Sequence, residues 1–269
     1  MAKGPGKGRA AALDGRGRLA TMHGVPNIDP RPAVVARRLA DIRRVLAVAS
    51  GKGGVGKTTC ATLAALLCAR SGLRTTLFDL DFHGSSCHTV LGHSPGLPQE
   101  SGGILPVSTA GGLELVSIAS FTGERPVPLR GPEASSALAE VLAATVWGER
   151  DLLIVDMPPG MGDLLLDMVR LAPRVEVLLV TTASRVVRAV VSRLVALLSE
   201  TSVPLAGVVL NMTRDGQEAP DLGWGMPLLG SIPFDPDLER ALGDPEALVA
   251  TAAARALDAI LKGVLGCRI

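Results

Sequence analysis

The sequence predicts an α/β fold, a doubly wound and mainly parallel sheet with helices on both faces. Three observations lead there. The glycine-rich run Gly51 to Thr58 fits G-x-x-x-x-G-K-[ST] and lies between a short apolar run and an apolar helical segment, the strand, loop and helix order that a phosphate-binding loop needs. Uninterrupted apolar runs of strand length alternate with helical patterns, as parallel strands covered on both faces require. One such run, Leu152-Leu153-Ile154-Val155, ends in Asp156, a carboxylate at the strand edge where open sheets of this kind hold their ligands.

In chain order, residues 1–32 read as a basic, largely disordered arm and residues 33–269 as one domain. Over residues 1–44, Lys3, Lys7, Arg9, Arg16, Arg18, Arg31, Arg37, Arg38, Arg43 and Arg44 stand against Asp14, Asp29 and Asp41. Glycines and prolines, as in Gly4-Pro5-Gly6-Lys7-Gly8, interrupt regular structure there. A helix is expected over Ala33–Arg43 and the first strand over Val45–Ala49. The glycine-rich loop opens a helix that ends near Ser71-Gly72, and Thr75–Phe78 is the second strand, running into Asp79-Leu80-Asp81. Residues 91–112 are rich in turns and are expected to fold over one end of the sheet. A strand over Leu113–Ile118 and a helix over Pro132–Trp147 follow, with Pro132 acceptable in the first turn. Further strands fall at Leu152–Val155, Val175–Val180, Leu205–Leu210 and Leu228–Gly230. Helices are expected over Arg185–Glu200 and from about Pro245 to Leu265, with a polar loop over Thr213–Gly225.

Composition narrows the function classes. The sequence holds no apolar stretch long enough to span a bilayer, and charges and glycines stand where a signal peptide would be apolar, so a cytoplasmic protein without a transmembrane segment is expected. Cys60, Cys68, Cys87 and Cys267 are too scattered for a disulfide framework and are expected as reduced thiols. The absence of tyrosine leaves few rings to stack on bases, which argues against nucleic acid as a partner.

The chemistry gathers at the C-terminal ends of the strands. Gly51, Lys52, Gly53, Gly54, Val55, Gly56, Lys57, Thr58 and Thr59 form the loop whose N–H groups turn toward phosphate oxygens, with Lys57 as the point charge and the Thr58 hydroxyl offered to Mg2+. Asp156, Asp79 and Asp81 bring three acidic strand ends around that loop, an unusual convergence for plain capping residues. In Asp156-Met157-Pro158-Pro159-Gly160 two residues lack N–H groups, so a free N–H on Gly160 is expected to sense the terminal phosphate. His83, Cys87, His88 and His93 crowd one short segment. Their spacing fits no common metal motif, and they read more readily as polar residues of a switch than as a Zn2+ or Ni2+ site.

The set GKGGVGKTT (51–59), DLDFHGSS (79–86), DLLIVDMPPGMGD (151–163), GVVLNM (207–212) and GSIPFDP (230–236) resembles the Mrp (ApbC-like) iron-sulfur cluster carriers and scaffolds. These lie within the deviant Walker A ATPases that include MinD, ParA and the nitrogenase iron protein. The resemblance implies ATP and Mg2+ as ligands and a nucleotide-switched homodimer that hydrolyses ATP, with Lys52 reaching the partner's nucleotide. It assigns the attacking water to Asp81, the metal side to Asp79, Asp156 and Thr58, the adenine edge to Asn211, and the border of the base to the backbone of Pro233 to Asp235. It also implies a client apo-protein or a cluster-binding partner, and admits a [4Fe-4S] cluster. The usual C-x-x-C after the asparagine-methionine pair is missing, because residues 213–220 contain no cysteine. Direct cluster binding therefore lacks its usual ligands. A positioning ATPase of the MinD/ParA kind, acting on a partner, membrane or DNA, is the alternative; the proline-proline-glycine segment speaks against it.

Overall fold

In the computed structural model eight strands among the described residues form one sheet: β1 (Val45–Ala49), β2 (Thr75–Asp79), β3 (Val107–Ser108), β4 (Glu114–Ser117), β5 (Leu152–Asp156), β6 (Val175–Thr181), β7 (Leu205–Thr213) and β8 (Leu228–Pro233). The structure describes residues 29–94, 96–122, 128–160, 163–172, 174–200, 203–214 and 227–266, apart from the side chains of residues 185, 186 and 188. The arm expected over residues 1–32 falls almost wholly outside them, as does most of the polar loop after Thr213. Strand order is β3-β4-β2-β5-β1-β6-β7-β8, parallel throughout except for the antiparallel β3–β4 pair at one edge.

Every residue of β1, β2 and β5 is buried, which explains why these strands read as unbroken apolar runs rather than alternating ones. Their register builds the site. Val48 lies beside Asp156 and Asp79 beside the same Asp156, so two carboxylates and the start of the glycine-rich loop emerge side by side where the winding direction reverses.

The helices are α1 (Arg31–Arg38), α2 (Lys57–Arg70), α3 (Cys87–Val90), α4 (Ala119–Thr122), α5 (Pro132–Ala144), α6 (Asp163–Leu171), α7 (Arg185–Glu200), α8 (Asp237–Ala241), α9 (Pro245–Val249) and α10 (Ala252–Leu265). Helix α2 is apolar nearly all round and buried from Cys60 to Leu66 and at Cys68 and Ala69. Such a helix needs cover on both sides: the sheet lies under it, and α9 and α10 pack against it.

Several expected boundaries move. Helix α1 starts at Arg31 and stops at Arg38 because Ile42 bridges to Arg150 and the Arg43 N–H donates to the Arg150 carbonyl at 2.9 Å, drawing the chain into β1. Helix α5 stops at Ala144, short of Trp147. Thr145 bridges to Ile104, and the Trp147 indole donates back to the Leu142 carbonyl at 3.1 Å with its ring edge on Phe78. The single helix expected from Pro245 is two, since Asp244 caps α9 and the Thr251 hydroxyl accepts from the Ala254 N–H to start α10. Strands β7 and β8 run three residues further than the apolar runs suggest, to Thr213 and Pro233. The turn-rich stretch 91–112 contributes the edge strand β3.

Candidate nucleotide site

Two glycines give the loop its shape. Gly54 and Gly56 have φ of 79° and 81°, left-handed values that cost other residues roughly 1–2 kcal/mol. At Gly56 a methyl group would also lie 2.3 Å from the Asn211 amide nitrogen, so this position needs glycine for conformation and for space. Gly56 ends in the first turn of α2, whose open N–H groups and dipole favour an anion.

Behind the loop lies a buried polar knot. Lys57 pairs with Asp156 Oδ1, and the Thr58 hydroxyl donates to Asp156 Oδ2 at 2.7 Å. Asp156 is wholly buried, and burial pushes its carboxyl up to about 6, against the pull of Lys57 and with the help of Asp79. Asp79, equally buried, accepts from the Ser85 hydroxyl at 2.6 Å, the Cys87 N–H at 3.0 Å and the Asp81 N–H at 3.3 Å. Asp81 is partly exposed and closes a turn by accepting from the N–H groups of His83 and Gly84.

Two cavities meet at Gly56 and Thr59. One, of about 220 Å³, is lined by the loop with Lys52, Lys57, Thr58, Asp81 and Pro159. The other, of about 430 Å³, is lined by Asn211, Met212, Ile232 to Pro236 and the apolar side chains of Leu63, Leu238 and Leu242. A polar cradle beside a larger apolar cleft suits a phosphate chain joined to a planar base. The residues present fit such a ligand and a hard cation: the cradle at Gly56 is one that a Cβ would fill, and Thr58 and the two buried carboxylates offer oxygen donors.

The site residues expected from the sequence come together, with one change of detail. The Gly160 N–H is not free, because it donates to the Ser50 carbonyl at 3.0 Å. The Asp235 carboxylate accepts from the N–H groups of Asp237 and Ala253, so its side chain ties two helices, as a backbone role at the base allows. Asn211, nearly buried, donates to the Val55 carbonyl at 2.9 Å and so joins the loop to the base-sized cavity. Lys52 is exposed at the mouth of the smaller one.

The crowded histidines do not converge. His83 sits in an exposed turn and His88 is buried in α3, which begins only at Cys87, so His83 and Cys87 share no helix face. Cys87 instead meets Asp79 and Asp156, the ligand atoms of the three lying within 4.8 Å of one another. Sequence reasoning missed this set and the role of Ser85. Both follow from the tight turn after Asp79, which has no local sequence signature. Cys60 and Cys68 are buried on α2, and burial pushes the Cys60 thiol up to about 12. Among the described residues, no helix is long and apolar enough to cross a membrane.

Comparison with known proteins agrees with this geometry. The family model described as NUBPL iron-transfer P-loop NTPase matches residues 41–219. The iron-sulfur cluster carrier protein of Mycobacterium tuberculosis is 37% identical over 237 residues, covering 79% of this chain and 61% of that protein. The chain thus spans about three fifths of the length of such curated relatives. Among solved structures, a nucleotide-binding protein of Archaeoglobus fulgidus in complex with ADP superposes with a TM-score of 0.64 at 28% identity, over 81% of this chain and 92% of that one. The cell division ATPase MinD of Pyrococcus furiosus, at 22% identity and a TM-score of 0.63 over 84% and 99%, shares the fold. By its motifs, its sheet order and the extent of the family match, the chain belongs to the NUBPL iron-transfer P-loop NTPases.

Proposed function

We propose that this protein binds and hydrolyses ATP as a nucleotide-switched homodimer and acts in the assembly or delivery of iron-sulfur clusters or related metallocofactors. The observation that carries the reading is the joined pair of cavities, with Lys57 and Thr58 lining the smaller one and Asp156 paired behind them. ATP places its base against Asn211 and the backbone of Pro233 to Asp235, and its phosphates on the N–H groups of residues 51–59. Lys57 then moves from Asp156 to the phosphates, and the Gly160 N–H leaves the Ser50 carbonyl for the terminal phosphate. Magnesium, held by Thr58 with Asp79 and Asp156 behind it, would neutralise phosphate charge as it develops. Asp81 orients the attacking water, and Lys52 of each subunit completes the site of the other.

Cys60, Cys68 and Cys87 are buried, and no cysteine follows Asn211 within residues 212–220. The reading therefore gives this protein the task of driving a client or a cluster-binding partner rather than carrying the cluster on the usual ligands. The test is Lys52→Ala, followed by ATP binding, ATP-dependent dimerisation and turnover. Binding should persist, while dimerisation fails and hydrolysis falls by roughly a thousandfold, the scale of a cation supplied across an interface. A Lys52→Ala protein that hydrolyses ATP at the normal rate as a monomer refutes the shared site.

A further inference from the structure

We propose that Cys87, Asp79 and Asp156 form a site for a borderline-soft divalent cation of the Zn2+ or Co2+ class, occupied when no nucleotide is bound.

Geometry supports this first. The three side chains offer one sulfur and two carboxylate oxygens, all within 4.8 Å of one another, near enough that small side-chain adjustments bring them onto one ion with ligands roughly 2.0–2.3 Å away. The Cys87 sulfur stands 3.7 Å from Asp156 Oδ2. Sulfur and oxygen held by one tetrahedral Zn2+ are roughly 3.6 Å apart, given bonds near 2.3 and 2.1 Å.

A second observation comes from α2. The Thr62 hydroxyl is fully buried and has no nitrogen or oxygen partner among the described residues. It lies one helical turn after Thr58, on the same face, and beside the Cys87 sulfur, whose ionised form it favours. The thiolate of an ion-bound Cys87 is a stronger acceptor for that buried hydroxyl than the neutral thiol is.

Charge supports it third. Asp79 and Asp156 bring two negative charges into a wholly buried place, and Lys57 answers one. As the metal–sulfur bond forms, the Cys87 proton passes to solvent. Two carboxylates, one thiolate, the Lys57 ammonium and a divalent cation then leave no net charge in the low-dielectric interior. Magnesium does not use the sulfur, since it takes oxygen ligands, so the thiol selects a softer ion.

This site rests on neither ATP binding nor hydrolysis, so it is tested on the reduced, nucleotide-free full-length protein. Titration with Co2+ is expected to give a thiolate-to-cobalt charge-transfer band saturating at one ion per chain and displaced by Zn2+. Cys87→Ser should remove the band and weaken Zn2+ by roughly tenfold or more, while Cys60→Ser and Cys68→Ser keep it. Thermal melting of each variant confirms that it is folded. Asp79→Asn, whose carboxamide keeps the carboxylate's shape, should weaken Co2+ without removing the sulfur band. A wild-type protein with no such band overturns the proposal, as does a band undiminished in folded Cys87→Ser, or one lost only in Cys60→Ser.

Discussion

Gly56 shows how much a single residue can carry. Its left-handed backbone and the 2.3 Å approach of the Asn211 amide to a would-be methyl group act on the hinge between the two cavities. Gly56→Ala should therefore weaken ATP by more than tenfold, from roughly 1–2 kcal/mol of backbone strain together with displacement of Asn211. Equilibrium titration checks this, and unchanged affinity would show that Asn211 does not set the hinge. At this scale much of the site is legible in sequence. Lys57, Thr58 and Asp156 follow from a loop and a strand end whose spacing dictates their meeting. Gly160 is legible as a switch residue, but its partner, the Ser50 carbonyl, is not, because that contact depends on how two loops from neighbouring strands lie together. Cys87 and Thr62 escape because their meeting depends on how a turn of several residues folds back on α2.

At the scale of elements, apolar runs with polar ends located all the long strands, since burial on both faces leaves a continuous signature. Helix ends were less legible. Arg43, Trp147 and Ala250 all continue a helical pattern, and tertiary partners decide against it at each: a bridge to Arg150, a seat against Phe78, and the Thr251 cap. Asp151, just before β5, illustrates a tie that sequence cannot give. It accepts from the Arg74 N–H at 3.0 Å and from the guanidinium of Arg74, and pairs with Arg43, so the starts of β1, β2 and β5 are held together. The Arg74 N–H, then its side chain, hold the Asp151 carboxyl below its ordinary 3.8. A depressed carboxyl stabilises the fold fully above the unfolded value, and that contribution is lost as pH falls through the folded one. Asp151→Asn should thus cost about 1 kcal/mol at pH 7, a fall in melting temperature of about 2–4 °C. The difference should shrink when the same comparison is made below the ordinary 3.8. A deficit of equal size at both pH values would mean that the charge is not what matters.

For the whole molecule, the order of the strands matters more than any one contact. By inserting β5 between β1 and β2, the chain puts Asp156 next to both the phosphate loop and Asp79, and by carrying β7 and β8 to the far side it brings Asn211 and Pro233 back against Gly56. The two cavities exist because of that winding, and the account stands on their being one nucleotide site. The most direct measurement is calorimetric titration of the full-length protein with ATP in the presence of Mg2+, set beside Lys57→Ala. One ATP per chain is expected for the wild type, with binding weakened about a hundredfold by Lys57→Ala, the scale of a lost charged hydrogen bond. Equal affinity in the two proteins, or none in the wild type, would contradict it.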